Sequence, residues 1–270
     1  MNFSTVSFLG LLQGLTEFFP ISSSGHLLLA EHFFQLDVEH LKAFDVVLHA
    51  GTLLALLVLF WRDWWGMVVG FWSLAFGSDG ERQKDSRRLF GQLVVVTIPA
   101  AVVGVLFGDA IDTLTRGSNR VWIVAAFFVL VAAGLFLAEK FGSQKTQKVG
   151  WKNVFWMSIF QAVALLPGIS RSGSTIAAGM LSGLSRSAAA KFSFLMLAPA
   201  TAGAIVLIVK EVLAGKMTLP PLELTLFGFV VSAVVSFAAA AFLLRFIRKH
   251  SLKIFSLYLL AVATVLFFLA

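Results

Sequence analysis

Six apolar runs in this chain are each about as long as the hydrocarbon core of a bilayer is thick: 44–61, 89–107, 121–138, 192–209, 224–244 and 254–269. Backbone amides and carbonyls in hydrocarbon find no water, so each run must close its hydrogen bonds on itself as a helix. The expected class is an all-α polytopic membrane protein. Only 13% of the residues are charged, against about 25% in a soluble domain. Trp61, Trp64, Trp65, Trp72 and Trp151 stand at ends of apolar runs, where an interfacial belt forms. The absence of Cys excludes disulfides, thiolate nucleophiles and Cys-ligated metals. The net charge of +7 is carried by short loops, which fits an orientation signal better than a nucleic-acid footprint. No basic segment precedes the first apolar run, so no cleavable signal peptide is expected.

Two further helices are broken. Residues 3–19 form an apolar helix that stops at Pro20, followed by Ile21-Ser22-Ser23-Ser24-Gly25-His26 and a short apolar piece to about Ala30. The second break lies inside Asn153–Leu184, at Pro167-Gly168, and delivers Ser170, Arg171, Ser172, Ser174 and Thr175. Interrupted backbone at membrane depth survives only when buried in protein or lining a wet cavity. The expectation is therefore six transmembrane helices plus two re-entrant helical hairpins in a single membrane domain, 1–270. Between them the chain reads as a polar connection 31–43, an interfacial segment Arg62–Phe76, a charged loop Ser78–Arg88, a connection 109–120 and a basic stretch Glu139–Lys152.

The two breaks are copies. A shift of 148 residues lays Gln13 on Gln161, Ile21 on Ile169, Ser22 on Ser170, Ser24 on Ser172 and Gly25 on Gly173, five identities in thirteen positions. Arg62-Asp63 then meets Lys210-Glu211, and a shift of 137 brings Leu89-Phe90-Gly91 onto Leu226-Phe227-Gly228. Repeat 1 covers about 1–138 and repeat 2 about 151–270. Following the spans, fifteen Lys and Arg fall on one side and five on the other, Arg171 aside. The richer side should be cytoplasmic. The two hairpins then enter from opposite faces, an inverted-topology repeat whose tips meet near the midplane.

Arg171 is the sharpest chemical signal. A guanidinium inside a membrane segment is costly, so it pairs or lines a wet cavity. Glu17, on the other hairpin, is its candidate partner. Arg171 with Ser170, Ser172, Ser174, Thr175 and the backbone N–H groups of a short helix starting near Ser174 makes a phosphate-binding set. Gln13 and Glu17 share one helix face. Glu17 could bind a divalent cation, act as a base or pair with Arg171, and His26 near Ser22, Ser23 and Ser24 is a candidate base. Asp45 and His49 read as structural or interfacial. Where the repeat fails it is informative: Glu17 meets Leu165, Ser23 meets Arg171 and His26 meets Ser174. One copy holds an acid, a hydroxyl and a base, and the other a cationic clamp. Broken midplane helices also mark transporters, but a transporter has no need of this division, whereas an enzyme attacking a bound phosphate does.

Gln13-Gly14-Leu15-Thr16-Glu17-Phe18-Phe19-Pro20-Ile21-Ser22-Ser23-Ser24-Gly25-His26 closely resembles the first motif of the undecaprenyl-diphosphate phosphatases, the BacA or UppP family. Pro167-Gly168-Ile169-Ser170-Arg171-Ser172-Gly173-Ser174-Thr175 resembles the second. Many members carry Glu where Gln13 stands, and the family pattern tolerates either. The resemblance implies hydrolysis of undecaprenyl diphosphate to the monophosphate, recycling of the carrier lipid for peptidoglycan, and bacitracin resistance. It also implies dependence on a divalent cation, Mg2+ or Ca2+, for which Glu17 is the candidate metal ligand among these residues. The site would open to the outer, periplasmic side of a bacterial inner membrane. Carried over by motif, Glu17, Ser23, His26 and Arg171 would be catalytic, with Gln13, Ser170 and Thr175 supporting; with the hydroxyl clusters read above, the substrate-binding set expected is Gln13, Ser22, Ser24, Ser170, Ser172, Ser174 and Thr175. The nucleophile stays open among Ser23, His26 and water. The partners implied are the polyprenyl diphosphate and bilayer lipids, without nucleic acid; a homodimer is left open.

Overall fold

The computed structural model describes residues 1–36, 38–76, 80–117 and 119–269, without the side chains of 38–42, 74–76, 112, 115 and 116. The start of the charged loop at Ser78, and the side chains of Lys42 and Arg116 in the cation count, thus lie outside the described residues. Eleven helices are present among the described residues: α1 (Phe3–Phe18), α2 (Ser23–Phe33), α3 (Val38–Leu59), α4 (Trp61–Phe76), α5 (Glu81–Arg116), α6 (Arg120–Phe141), α7 (Trp151–Val163), α8 (Arg171–Leu181), α9 (Arg186–Leu213), α10 (Leu222–Phe246) and α11 (Lys253–Leu269). Four stretches are long and apolar enough to cross a membrane: Glu81–Ile111, Arg120–Phe141, Arg186–Leu213 and Leu222–Phe246. A fifth is added if Ala43–Leu59 and Trp61–Ser73, bent by 74°, form one span. The apolar helix α11 is shorter, at 17 residues.

Local chemistry sets the breaks. Asn2 caps α1, its Oδ1 accepting from Thr5 N at 2.9 Å. Pro20 ends α1, because the residue before a proline is pushed out of the α region, and Phe19 is extended with ψ 137°. The second break needs Gly168, whose φ of +98° suits a residue without a Cβ.

Two expectations are corrected. The described part of the charged loop from Glu81 onward, with residues 109–116 of the following connection, is helical, so α5 runs for 36 residues. Glu, Arg, Gln and Lys are good helix formers, and Glu81 in the first turn favours the helix N-terminus. Polarity over these residues marks a solvated helix end and not irregular chain. Likewise α3 begins at Val38, six residues before Phe44.

Small residues bring the helices close. A Cβ on Gly14 would come within 2.9 Å of Ser236 N on α10, and one on Gly51 within 2.5 Å of Phe229 O. Such contacts let α1 and α3 pack on α10, the usual solution where lipid supplies no hydrophobic drive between helices. In the second half α7 packs on α5 and α8 on α6, while α9 lies against α3 and α11 against α6. Arg186 grips Glu139 with Nε at 2.7 Å and Nη2 at 2.5 Å, and Leu252 N donates to the same carboxylate at 2.7 Å. That pair ties α6, α9 and the entry to α11.

Candidate active site

The turn between α1 and α2 and the turn between α7 and α8 meet. Each starts its second helix the same way. Ser22 caps α2 with Oγ accepting from Gly25 N at 3.3 Å, and Ser170 caps α8 with Oγ accepting from Gly173 N at 3.0 Å. Each cap hydroxyl also faces the serine two residues on, Ser24 at 3.4 Å and Ser172 at 3.2 Å. Those serines cross to the opposite turn. Gly168 N donates to Ser24 Oγ at 3.4 Å, and Ser172 Oγ donates to Phe19 O at 3.1 Å. A Cβ on Gly25 would lie 3.2 Å from Gly168 Cα and 2.6 Å from the Phe128 ring, so this approach requires glycine. Helix α8 begins at Arg171, three residues before the start read from the sequence, because Ser170 is its cap.

Glu17 is the hub. Its Oε1 accepts from Arg171 Nη2 at 2.7 Å. Its Oε2 accepts from Ser23 Oγ at 2.5 Å and Gln13 Nε2 at 3.0 Å. Arg171 Nη1 donates to Ser193 O at 2.9 Å, which anchors the guanidinium to α9. Carboxylate and guanidinium are 6% and 15% exposed. A buried charge pair of this kind holds only when its remaining lone pairs and protons are also bonded, and here Ser23, Gln13 and Ser193 do that.

A cavity of about 300 Å³ opens beside this hub, lined in part by Glu17, Ser22, Ser23, Ser24, Ser170, Arg171 and Ser172. Gln13, Thr175 and Ser174 are not among its lining residues. Gln13 is fully buried against Glu17. Thr175 Oγ1 donates to Arg171 O at 2.7 Å and meets Ser193 Oγ at 2.7 Å. Ser174 N donates to Ser170 O at 2.8 Å, within the cap. His26 is not brought to the cavity. Its Nδ1 bonds Ser22 O and its Nε2 bonds Tyr258 OH, both at 2.8 Å. Its ring stacks on Phe128 and Tyr258, at 5.2 and 5.8 Å. With both ring nitrogens held, His26 fastens the α1–α2 turn to α11.

His49 and Gln161, without a site role in the sequence reading, are among the residues that line the cavity. His49 donates from Nδ1 to Asp45 O at 2.8 Å, which leaves Nε2 facing Glu17 Oε2 at 3.6 Å. Its signal was an i to i−4 spacing with Asp45 on a helix, indistinguishable in sequence from any interfacial histidine. Gln161 Nε2 donates to Val96 O at 3.1 Å, while its buried Oε1 has no partner. The repeat had already marked Gln161 as the counterpart of Gln13, whose Oε1 is also buried without a partner. Among the described residues no group of three or more His, Cys, Asp or Glu could hold a metal by itself. A second hollow of about 440 Å³, lined almost wholly by apolar residues of α3, α9 and α10, shares Val46 and Ile205 with the cavity.

The family model for bacitracin resistance protein BacA matches residues 6–265. An undecaprenyl-diphosphatase of Rubrobacter xylanophilus is 42% identical over 259 residues, covering 94% of this chain and 93% of that protein. The undecaprenyl-diphosphatase of Desulforudis audaxviator is 38% identical over 252 residues, covering 93% and 91%. That of Methanobrevibacter smithii is 37% identical over 268 residues, covering 96% and 94%.

Proposed function

The chain belongs to the bacitracin resistance protein BacA family, and on that premise we propose that the cavity between its two turns hydrolyses undecaprenyl diphosphate to undecaprenyl phosphate and inorganic phosphate. The observation that carries the reading is Glu17 holding Ser23 Oγ and Arg171 on its two oxygens, at 2.5 and 2.7 Å. A hydroxyl that donates its proton in a hydrogen bond to a carboxylate stands beside a phosphate-binding cation.

Ser23 Oγ attacks the terminal phosphorus and passes its proton to Glu17. The new Oγ–P bond replaces the bond to the bridging oxygen, and undecaprenyl phosphate leaves. Water then cleaves the phosphoserine and releases inorganic phosphate. Arg171 and the hydroxyls of Ser22, Ser24, Ser170 and Ser172 bind the phosphate oxygens, where charge builds in the transition state. His49 Nε2, facing the carboxylate that receives the proton, carries it onward to the departing group. Gln13 and Thr175 hold Glu17 and Arg171 in place, and His26 holds the turn that presents Ser23.

A divalent cation, Mg2+ or Ca2+, fits this set. Glu17 Oε1 has one recorded donor, and a carboxylate offers about four lone-pair sites. The orphaned Gln161 Oε1 is a second oxygen on the cavity wall. Mg2+ commonly takes one or two carboxylates and completes its shell with substrate phosphates and water. When bound it would neutralise diphosphate charge. The prenyl chain lies in the apolar hollow that shares Val46 and Ile205 with the cavity.

The matched caps and crossing serines support an inverted repeat of six spans and two re-entrant hairpins, as does α1 packing on α10 while α7 packs on α5. In that arrangement, with fifteen Lys and Arg on the cytoplasmic side, the site faces outward from the cytoplasmic membrane. The test is phosphate release by purified protein from undecaprenyl diphosphate and shorter prenyl diphosphates, with and without chelator. A trapped phosphoenzyme mapping to Ser23 is expected. Turnover without any phosphoenzyme, or a phosphohistidine, would replace Ser23 as nucleophile.

A further inference from the structure

A second concave site lies at the corner of α4 and α5. Trp61, Arg62 and Trp65 of α4 face Arg82, Gln83 and Ser86 of α5 across a hollow of about 370 Å³. Gly66 lines it too, and a Cβ there would lie 3.3 Å from Ser86 Oγ. Arg62 rests over the Trp61 ring at 5.4 Å. Among the described residues neither Arg62 nor Arg82 has a carboxylate partner, and no acidic side chain lines the hollow. Two guanidinium groups on one concave surface without counter-charge favour an anion, and their planar forks match phosphate.

The setting decides which phosphate. Trp61, Trp65 and Trp72 are 58%, 63% and 60% exposed. The helix that carries them turns by 74° from the one before it. Exposed indoles beside arginine belong at the headgroup level of a bilayer. A soluble phosphate uses only the arginines. A lipid places its phosphate on them and its chains along the indoles and Val69. Basic hollows between helices on the cation-rich side of a membrane protein are known headgroup sites. We infer that the α4–α5 corner binds the phosphodiester head group of an anionic glycerophospholipid, on the face that carries most of the Lys and Arg residues. The site is independent of the phosphatase cavity.

The test is native mass spectrometry of the full chain in detergent, titrated with phosphatidylglycerol or phosphatidylcholine. Arg62→Gln with Arg82→Gln should weaken phosphatidylglycerol retention about 30-fold. Arg248→Gln with Lys249→Gln, a basic pair elsewhere on the same face, should leave it unchanged. Gly66→Leu, which fills the hollow without changing charge, should also lower retention. Phosphate release in lipid-free detergent should be unaltered in the arginine pair variant, which reports intact folding. Equal loss in the Arg248/Lys249 variant would mean diffuse attraction and overturn the site. So would phosphatidylcholine held as tightly as phosphatidylglycerol, or full displacement by millimolar inorganic phosphate.

Discussion

The two turns that meet at the candidate site share a cap, a serine pair and a glycine, yet they carry opposite charges. In both, a serine hydroxyl caps a short helix and the serine two residues on reaches across to the other turn. The difference lies in what fills the matched positions between these constants. Glu17 meets Leu165, and Ser23 meets Arg171. Gln13 and Gln161 expose the consequence. Both glutamines are buried with an unpartnered Oε1. Gln13 turns its amide to Glu17, whereas Gln161, with only Leu165 four residues on, turns its amide to Val96 O of α5. Backbone strain is divided too. The first turn puts the positive φ on Ser22 itself, at +73°, and the second puts it on Gly168, at +98°. A non-glycine residue there carries about 1–3 kcal/mol of strain, a feature that clusters at active sites. The lesson is that one turn geometry carries different chemistry: a carboxylate and a hydroxyl at Glu17 and Ser23 in the first turn, an apolar residue and a guanidinium at Leu165 and Arg171 in the second.

That division can be broken most sharply at Ser23. Ser23→Ala should lower turnover by at least ~10⁴-fold, as loss of a nucleophile does, with substrate binding retained; phosphate release and lipid pull-down measure the two. Arg171→Ala comes next. It should reduce kcat/KM by about 10²–10³-fold. Because Glu17 is left buried without its cation, it should also destabilise the fold by about 3–5 kcal/mol. A melting curve in detergent beside the kinetics tests both, and a variant that only melts earlier would make Arg171 structural.

The two histidines sharpen the comparison at a smaller scale. His49→Gln should slow turnover by about 10²-fold at unchanged melting temperature, since its imidazole faces the cavity. His26→Ala should lower the melting temperature and turnover together, because the turn that presents Ser23 loses two hydrogen bonds of about 1 kcal/mol each. Tyr258→Phe should reproduce part of that loss. The smallest effect belongs to Gln161→Leu. Removing its orphaned acceptor should leave stability within about 1 kcal/mol of the parent and raise the half-saturating Mg2+ concentration roughly tenfold. An unchanged Mg2+ titration would remove Gln161 from the cation's reach.

Much of this arrangement was readable beforehand. The apolar runs, Pro20 and Pro167-Gly168 predict helices and their breaks, because hydrocarbon forbids other backbone solutions and proline forbids continuation. The 148-residue echo predicts that the two motifs resemble each other in shape. The pairing of Arg171 with Glu17 followed from the cost of leaving either charge alone. Helix boundaries were less legible. Residues 81–88 and 109–116 look like loops by polarity, but a long helix can leave the bilayer and continue in water without penalty.

What the chain by itself determined was the class, the two broken helices, their kinship and the residues that carry charge in an apolar setting, since each follows from local backbone chemistry or from the cost of burying a charge. Only the tertiary structure decided which side of each turn faces the cavity. It turned His26 toward Tyr258, brought His49 from α3 to Glu17, and gave Ser23 Oγ a carboxylate instead of an imidazole as its hydrogen-bond acceptor. Those outcomes depend on how α3, α9 and α11 pack around the turns. Packing is set by the fit of glycine contacts and side-chain volumes between distant segments, which no local pattern of residues records.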